Sequence, residues 1–288
     1  MDKKIQNPQS SLGSTRGTLS HIRWELGIFG DYFRQFVKTR LAYRVDFLID
    51  TLAVSFSLVV QLAVLGVLFS KVDSLKGWSY HQVLFIYGFS LIPLGLFNLT
   101  SINLYGFSEK YIIQGKFDRV LLRPVSTLGQ VLCESFNISG LNEILIGTVV
   151  MIYSAAKMNM VWEPTDILAV IVLGPSASLV YSGVFLGITA VSFWFEDRMG
   201  LAPPVYNMIR FARYPITIFG APVRFFLTFI LPFGWVAFYP ASWFLGSPEG
   251  GTEFSKMALF TPLVGLVVFG GAVLIWRSGV RNYSSTGS

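Results

Sequence analysis

Long apolar runs separated by short polar stretches set the plan of this chain. The run 47–70 carries one charge, Asp50, near its start, and the run 83–105 carries none. At about 1.5 Å of rise per residue, a helix over either run exceeds the roughly 30 Å hydrocarbon layer of a bilayer. Two further runs cover 131–156, with Glu134 and Glu143 inside it, and 167–195, which is uncharged. The last clean run is 257–276. Each predicts a membrane-spanning helix. Pro93 and Gly95 in the second and Pro175 in the fourth are bends whose freed backbone groups a neighbouring helix must satisfy. Gly183 and Gly187 have the small-xxx-small spacing of a close helix contact.

The segments outside these runs read differently. Residues 1–20 are polar with no apolar core, which predicts a mobile tail and no cleaved signal. Over 21–46, Ile22, Leu26, Phe29, Phe33 and Leu41 recur at helical spacing among Arg23, Arg34, Lys38, Arg40 and Arg44. That pattern predicts an amphipathic helix flat in the cytoplasmic interface, its basic residues near anionic headgroups. Between 196 and 246, Pro215, Pro222, Pro232 and Pro240 break any single helix, and hydropathy alone places a loop to Tyr214 with a span after it. The pieces suggest a re-entrant hairpin, tolerated at membrane depth where protein or water shields its backbone. Residues 277–288 form a polar tail.

Composition supports the membrane reading. Of 288 residues, 13% are charged and 53% apolar, with 26 Phe; a soluble domain has about 25% charged. The net charge of +6 does not form the patch a nucleic-acid binder needs, because the basic residues fall between the apolar runs. Lys and Arg crowd the region before 47 and the loop after the second run, where Lys110, Lys116, Arg119 and Arg123 lie; the loops after the first and third runs hold Lys71, Lys76 and Lys157, and the last loop holds Lys256. The heavy side is cytoplasmic, both termini face inward, and the crossings number six.

No catalytic set is present. His21 and His81 lie outside any H-E-x-x-H pattern, and neither a G-x-S-x-G elbow nor a G-x-x-x-x-G-K-[ST] loop occurs. Cys133, the single cysteine, sits in apolar surroundings that suit an inert thiol. Charges beside the bilayer are the remaining candidates, since each costs about 2.5–3.5 kcal/mol at its centre. Asp50 is close enough to the interface to reach headgroups, and Glu143 suits an interhelical contact as well as a substrate contact. Arg210 and Arg213 share one helix face and either snorkel or line an aqueous cavity.

The loop 106–128 mixes charges with apolar residues and predicts a helical turn at Asp118–Leu122, ended by Arg123-Pro124. Such an element suits either docking into a soluble partner or lying on lipid. The segments GKFDRVLLRP (115–124), RYPITIF (213–219), LTFILPFGWVAFYPASWFLG (227–246) and WRSGVRNYSSTGS (276–288) together resemble the ABC-2 family of transporter permeases. More narrowly, they resemble its small bacterial branch with a G-x-x-D-x-x-L-x-R-P loop.

The resemblance implies an all-α polytopic fold with six spans (47–70, 83–105, 131–156, 167–195, 200–219 and 257–276) and a re-entrant outer hairpin at 221–245. It therefore moves the fifth span ahead of where hydropathy puts it. It implies an export permease of the bacterial inner membrane, a dimer with a second copy or a sister permease, in contact with lipid and not with nucleic acid. Two separate ABC ATPase subunits would supply ATP and Mg, with no cofactor in this chain. Gly115, Lys116, Phe117, Asp118, Leu121, Arg123 and Pro124 would form the coupling element. Asn98, Asn103, Arg210 and Arg213 are the substrate-pathway candidates. A membrane scaffold or sensor subunit, and a secondary transporter that needs no ATPase, are the rival readings.

Overall fold

The computed structural model describes residues 44–134, 136–195, 200–246 and 253–284, together with Gly27, Gly30 and Arg34, which are helical. The polar tail 1–20, the last residues 285–288, nearly all of the amphipathic stretch 21–46 and the side chain of Asp50 lie outside the described residues, whereas 277–282 of the predicted C-terminal tail continues the last helix. Among the described residues there is no strand, and five helices are long and apolar enough to cross a membrane.

The first is α1, Arg44–Phe69. A tight turn follows in which Lys76 and Gly77 both take positive φ, 46° and 85°, bringing the backbones of Leu75 and Trp78 into mutual hydrogen bonds. Ser79 then caps α2, Tyr80–Ser101, through a capping box with Gln82. The helical path continues through a 3₁₀ turn, Ile102–Leu104, and a π-helical turn, Ser108–Ile113, so the start of the predicted loop 106–128 is itself helical. Next come α3, Phe117–Leu121, and α4, Thr127–Cys133.

The predicted span 131–156 is divided. Residues after α4 leave the helix, and α5 begins anew at Ser139–Lys157. The Asn137 side chain accepts from the Ser139 backbone N–H at 3.1 Å, while Glu134 turns away to an ion pair with Lys110 at 2.6 Å. A carboxylate with a partner outside the bundle does not enter the apolar layer. The fourth long helix, α6, covers Pro164–Val191, with Pro164 opening it and Glu163 and Asp166 forming its capping box.

The stretch 200–219 is helical in pieces: α7, Ala202–Met208, a 3₁₀ turn at Ile209–Arg213, and another at Ile216–Ile218 beyond Pro215. Its side chains run the length of α2. Tyr206 bonds Asn98 near the α3 end, Arg213 bonds Tyr87, and Thr217 accepts from Trp78 Nε1 at 2.8 Å at the opposite end. Then α8, Ala221–Phe225, runs into a π-helical turn ending at Ile230, and α9, Phe238–Leu245, follows a 3₁₀ turn at Phe233–Trp235. The two arms bend by 75°. A short α10, Glu253–Ala258, precedes α11, Thr261–Asn282.

Helix α2 is the axis of the bundle, buried on nearly every face along Val83–Asn98, which is why its sequence is apolar all round. It packs antiparallel on α5 through glycines seven apart on each helix. Gly88 meets Gly147 and Gly95 meets Gly140, and a Cβ on Gly88 would stand 2.7 Å from the Met151 backbone nitrogen. Helix α6 packs parallel on α11, again through glycines at the contact, with Gly183 against the Phe269 backbone and Gly265 against Ser176. Gly187, the other half of the predicted pair, has only Ala272 at 3.9 Å, so the close contact belongs to Gly183 alone. By contrast α1 leaves Leu52, Phe56, Val59 and Val64 exposed.

Replacing Gly147 with Leu is expected to lower stability by about 1–3 kcal/mol or to prevent folding. Gly270→Ala, where a Cβ meets nothing within 4 Å, serves as the control and is expected to leave the melting temperature of the detergent-purified chain within about 2 °C of the parent.

Candidate functional site

Two polar regions stand out in this apolar bundle. The first lies along α2. Asn98 donates to Glu143 Oε2 at 2.7 Å and accepts from Tyr206 OH at 3.4 Å, joining α2, α5 and α7. Towards the other end of α2, Arg213 Nη1 donates to Tyr87 OH at 3.1 Å and to Gln61 Oε1 of α1, and its guanidinium carbon lies 5.4 Å from the Tyr87 ring centre. Tyr87 OH also donates to Gln61 at 3.4 Å. A cavity of about 90 Å³ opens beside these groups, lined by Gln61, Leu94, Tyr206, Asn207, Arg210 and Arg213 among others.

Arg210 and Arg213 therefore line one cavity, as their shared face predicts, because a 3₁₀ turn eclipses residues three apart. They differ in setting: Arg210 is exposed and Arg213 half-buried. Asn98 is buried in the adjoining cluster. Asn103 is not brought to the cavity; its side chain donates to the Leu132 carbonyl at 3.2 Å and ties the end of the α2 path to α4. Sequence reasoning missed Gln61, Tyr87 and Tyr206. Only Glu143 carried a signal, as a charge within an apolar run.

The second region surrounds α3. Gly115 turns the chain at φ 66°, a conformation that disfavours a side chain, and α3 starts two residues later. Phe117, predicted as part of a docking surface, is instead fully buried. Its ring packs edge-on to Phe107, Phe193, Trp276 and Tyr283, so α3 is fastened to the ends of α6 and α11. Asp118 accepts from Tyr283 OH at 3.0 Å, and Trp276 Nε1 donates to Thr127 at 3.2 Å. Buried Gln130 donates from one amide nitrogen to the carbonyls of Val120 and Val125, at 3.1 and 2.9 Å, bridging the segment that holds Arg123 and Pro124.

What faces outward is a mixed surface. Leu121 is 40% exposed and Leu122 84%, and Lys116, Arg119 and Arg123 line a cavity of about 140 Å³ with Glu134 and Gln130. Cys133 is half-buried at the end of α4 and forms no disulfide. Among the described residues no group of His, Cys, Asp and Glu is placed to hold a metal ion.

A family profile described as "ABC-2 family transporter protein" matches residues 56–287. No curated protein and no solved structure matches the chain.

Gln130→Ala is expected to cost about 1–3 kcal/mol, since two carbonyls lose their donor, and to raise hydrogen exchange over residues 117–125. Burial first, then the hydrogen bond and charge of Asp118, push Tyr283 up to about 12. The neutral phenol is thus the favoured form: its contribution is complete below about pH 10, the unfolded value, and is lost as pH rises towards 12. In an absorbance titration, the tyrosinate step near pH 12 should vanish in Tyr283→Phe.

Proposed function

This chain belongs to the ABC-2 family of transporter permeases, and we propose that it is an export permease that crosses the bacterial inner membrane six times. It is a multi-pass membrane component with no catalytic role of its own. The side-chain contacts along α2 support the sixth crossing. They carry 200–219 from the end shared with α3 to the end shared with Trp78, which makes this stretch the fifth span in spite of its breaks. The bent pair α8–α9 then returns to the side it left: Phe238 packs on Trp78, and Trp243 donates to Asp166 at the start of α6. That is a re-entrant outer hairpin. Asn142, near the start of α5, bonds Ser55 in the first turns of the α1 span, and Tyr283 bonds Asp118. The beginning of α1, the end of α11 and α3 thus share one side, and the positive charge there makes it cytoplasmic.

In this reading two ABC ATPase subunits, holding ATP and Mg, dock on α3 and its flanks in a dimer of permeases, and α3 is the coupling helix. The observation that carries the proposal is the rigid mounting of α3. Phe117 fixes it to α6 and α11, while Leu121 and Leu122 project outward between basic residues. A partner that shifts α3 must shift the ends of two spanning helices with it. Gly115, Lys116, Asp118, Arg123 and Pro124 keep the coupling role proposed from the family, Phe117 serves as anchor, and Asn98, Arg210 and Arg213 mark the pathway. A secondary transporter has no need of an exposed element anchored to two spans, and a scaffold, which would keep such a docking element, has no need of a continuous cavity.

Co-purification with a candidate ABC ATPase subunit gives the test. The double substitution Asp118→Ala, Arg123→Ala is expected to abolish assembly or reduce substrate-coupled ATPase activity by about fivefold or more. Unchanged assembly and coupling would overturn the assignment. Independently, a thiol placed at 118 in a Cys133→Ser background should be labelled only from the cytoplasmic side.

A further inference from the structure

Arg213 is a half-buried cation whose recorded hydrogen-bond acceptors, Tyr87 OH and Gln61 Oε1, are both neutral. Its Nε is fully buried and has no hydrogen-bond partner. The carboxylate of the cluster, Glu143, takes its hydrogen bond from Asn98, makes no ion pair with Arg213 and does not line the cavity. A guanidinium removed from water without an anion is costly, and a buried donor without an acceptor adds to that cost. Nε and Nη2 together form the edge of an arginine that grips two oxygens of a carboxylate or phosphate. Nη1 is already engaged and Nε is shut off from solvent in this arrangement, so an anion in the cavity would meet the guanidinium at the atoms that line it.

The cavity beside it has the matching chemistry. Its lining includes a second guanidinium, from Arg210, the Asn207 side chain and the Tyr206 phenol, with Leu94 and Ile209 as apolar neighbours. At about 90 Å³ it has room for a group the size of a few waters. The lining holds two positive charges and no carboxylate. We propose that this cavity binds an oxyanion, the phosphate, sulfonate or carboxylate head of a solute or of an anionic amphiphile, with Arg213 and Arg210 as its two cations. The ligand would supply the direct anionic partner that Arg213 lacks, since Glu143 acts on it only from a distance.

The permease reading gives this site its purpose, but its test needs no ATPase, so the two can fail separately. The full chain in uncharged detergent is titrated with inorganic phosphate, with dihexanoyl phosphatidic acid and with dihexanoyl glycerol, following the melting temperature. Phosphatidic acid is expected to stabilise the chain and the uncharged glyceride to have no effect. Stabilisation by phosphate as well assigns the site to soluble anions, whereas stabilisation by phosphatidic acid alone assigns it to the head of an amphiphile. Arg213→Gln is expected to weaken the apparent affinity about tenfold or more, and Arg213→Lys to restore it only in part. Should Arg213→Gln fail to fold, exposed Arg210→Gln takes its place and is expected to weaken binding in the same direction. Absence of stabilisation by either anion, equal stabilisation by the glyceride, or affinity unchanged in the arginine variants overturns the proposal.

Discussion

Helix α2 has almost no face to solvent or lipid, and the rest of the chain is arranged by what can approach it. Within a bilayer, apolar burial gives no net drive for two helices to pair, because lipid tails are as apolar as the helices themselves. Close packing must supply the attraction, and Gly88 and Gly95 against Gly140 and Gly147 let the two backbones touch. Once α5 is held at that distance, Asn98 reaches Glu143, and Asn142 on the same helix reaches back to α1. The polar contacts of the interior are therefore consequences of the glycine contact.

The interior polar groups are divided between two ends of α2 and drawn from five elements. Each contributes one or two side chains, so no segment alone contains a recognisable motif. The arrangement separates a satisfied half, where Asn98 links Glu143 and Tyr206, from a half in which Arg213 holds its charge against neutral oxygens. In an apolar bundle such asymmetry is costly, and polar groups retained at that cost are the first to consider for function.

The end of the bundle that carries α3 is built on a different principle. There aromatic rings replace glycines: Phe107, Phe117, Phe193, Trp276 and Tyr283 interlock edge to face, with Phe107, Phe117 and Trp276 fully buried. Edge-to-face packing fixes orientation as well as distance. The short α3 could not be stable in isolation, since helices of this length do not persist in water. It gains its position from the rings beneath it and from Gln130, leaving its outer leucines uncovered.

The sequence alone determined the number and character of the long helices, because an uncharged run of sufficient length has few alternatives in a membrane. It also placed the turn near Asp118, through Arg123-Pro124. The break at 134–138, the burial of Phe117 and the removal of Asn103 from the cavity were decided by tertiary contacts. Each depends on a partner distant in the chain: Lys110 for Glu134, Trp276 and Tyr283 for Phe117, Leu132 for Asn103. The path of 200–219 was decided in the same way. Pro215 interrupts its helical periodicity, and hydrogen bonds to successive levels of α2 fix its direction. Periodicity reports what a helix does with its own faces; it carries no information on which remote side chain will satisfy a polar group.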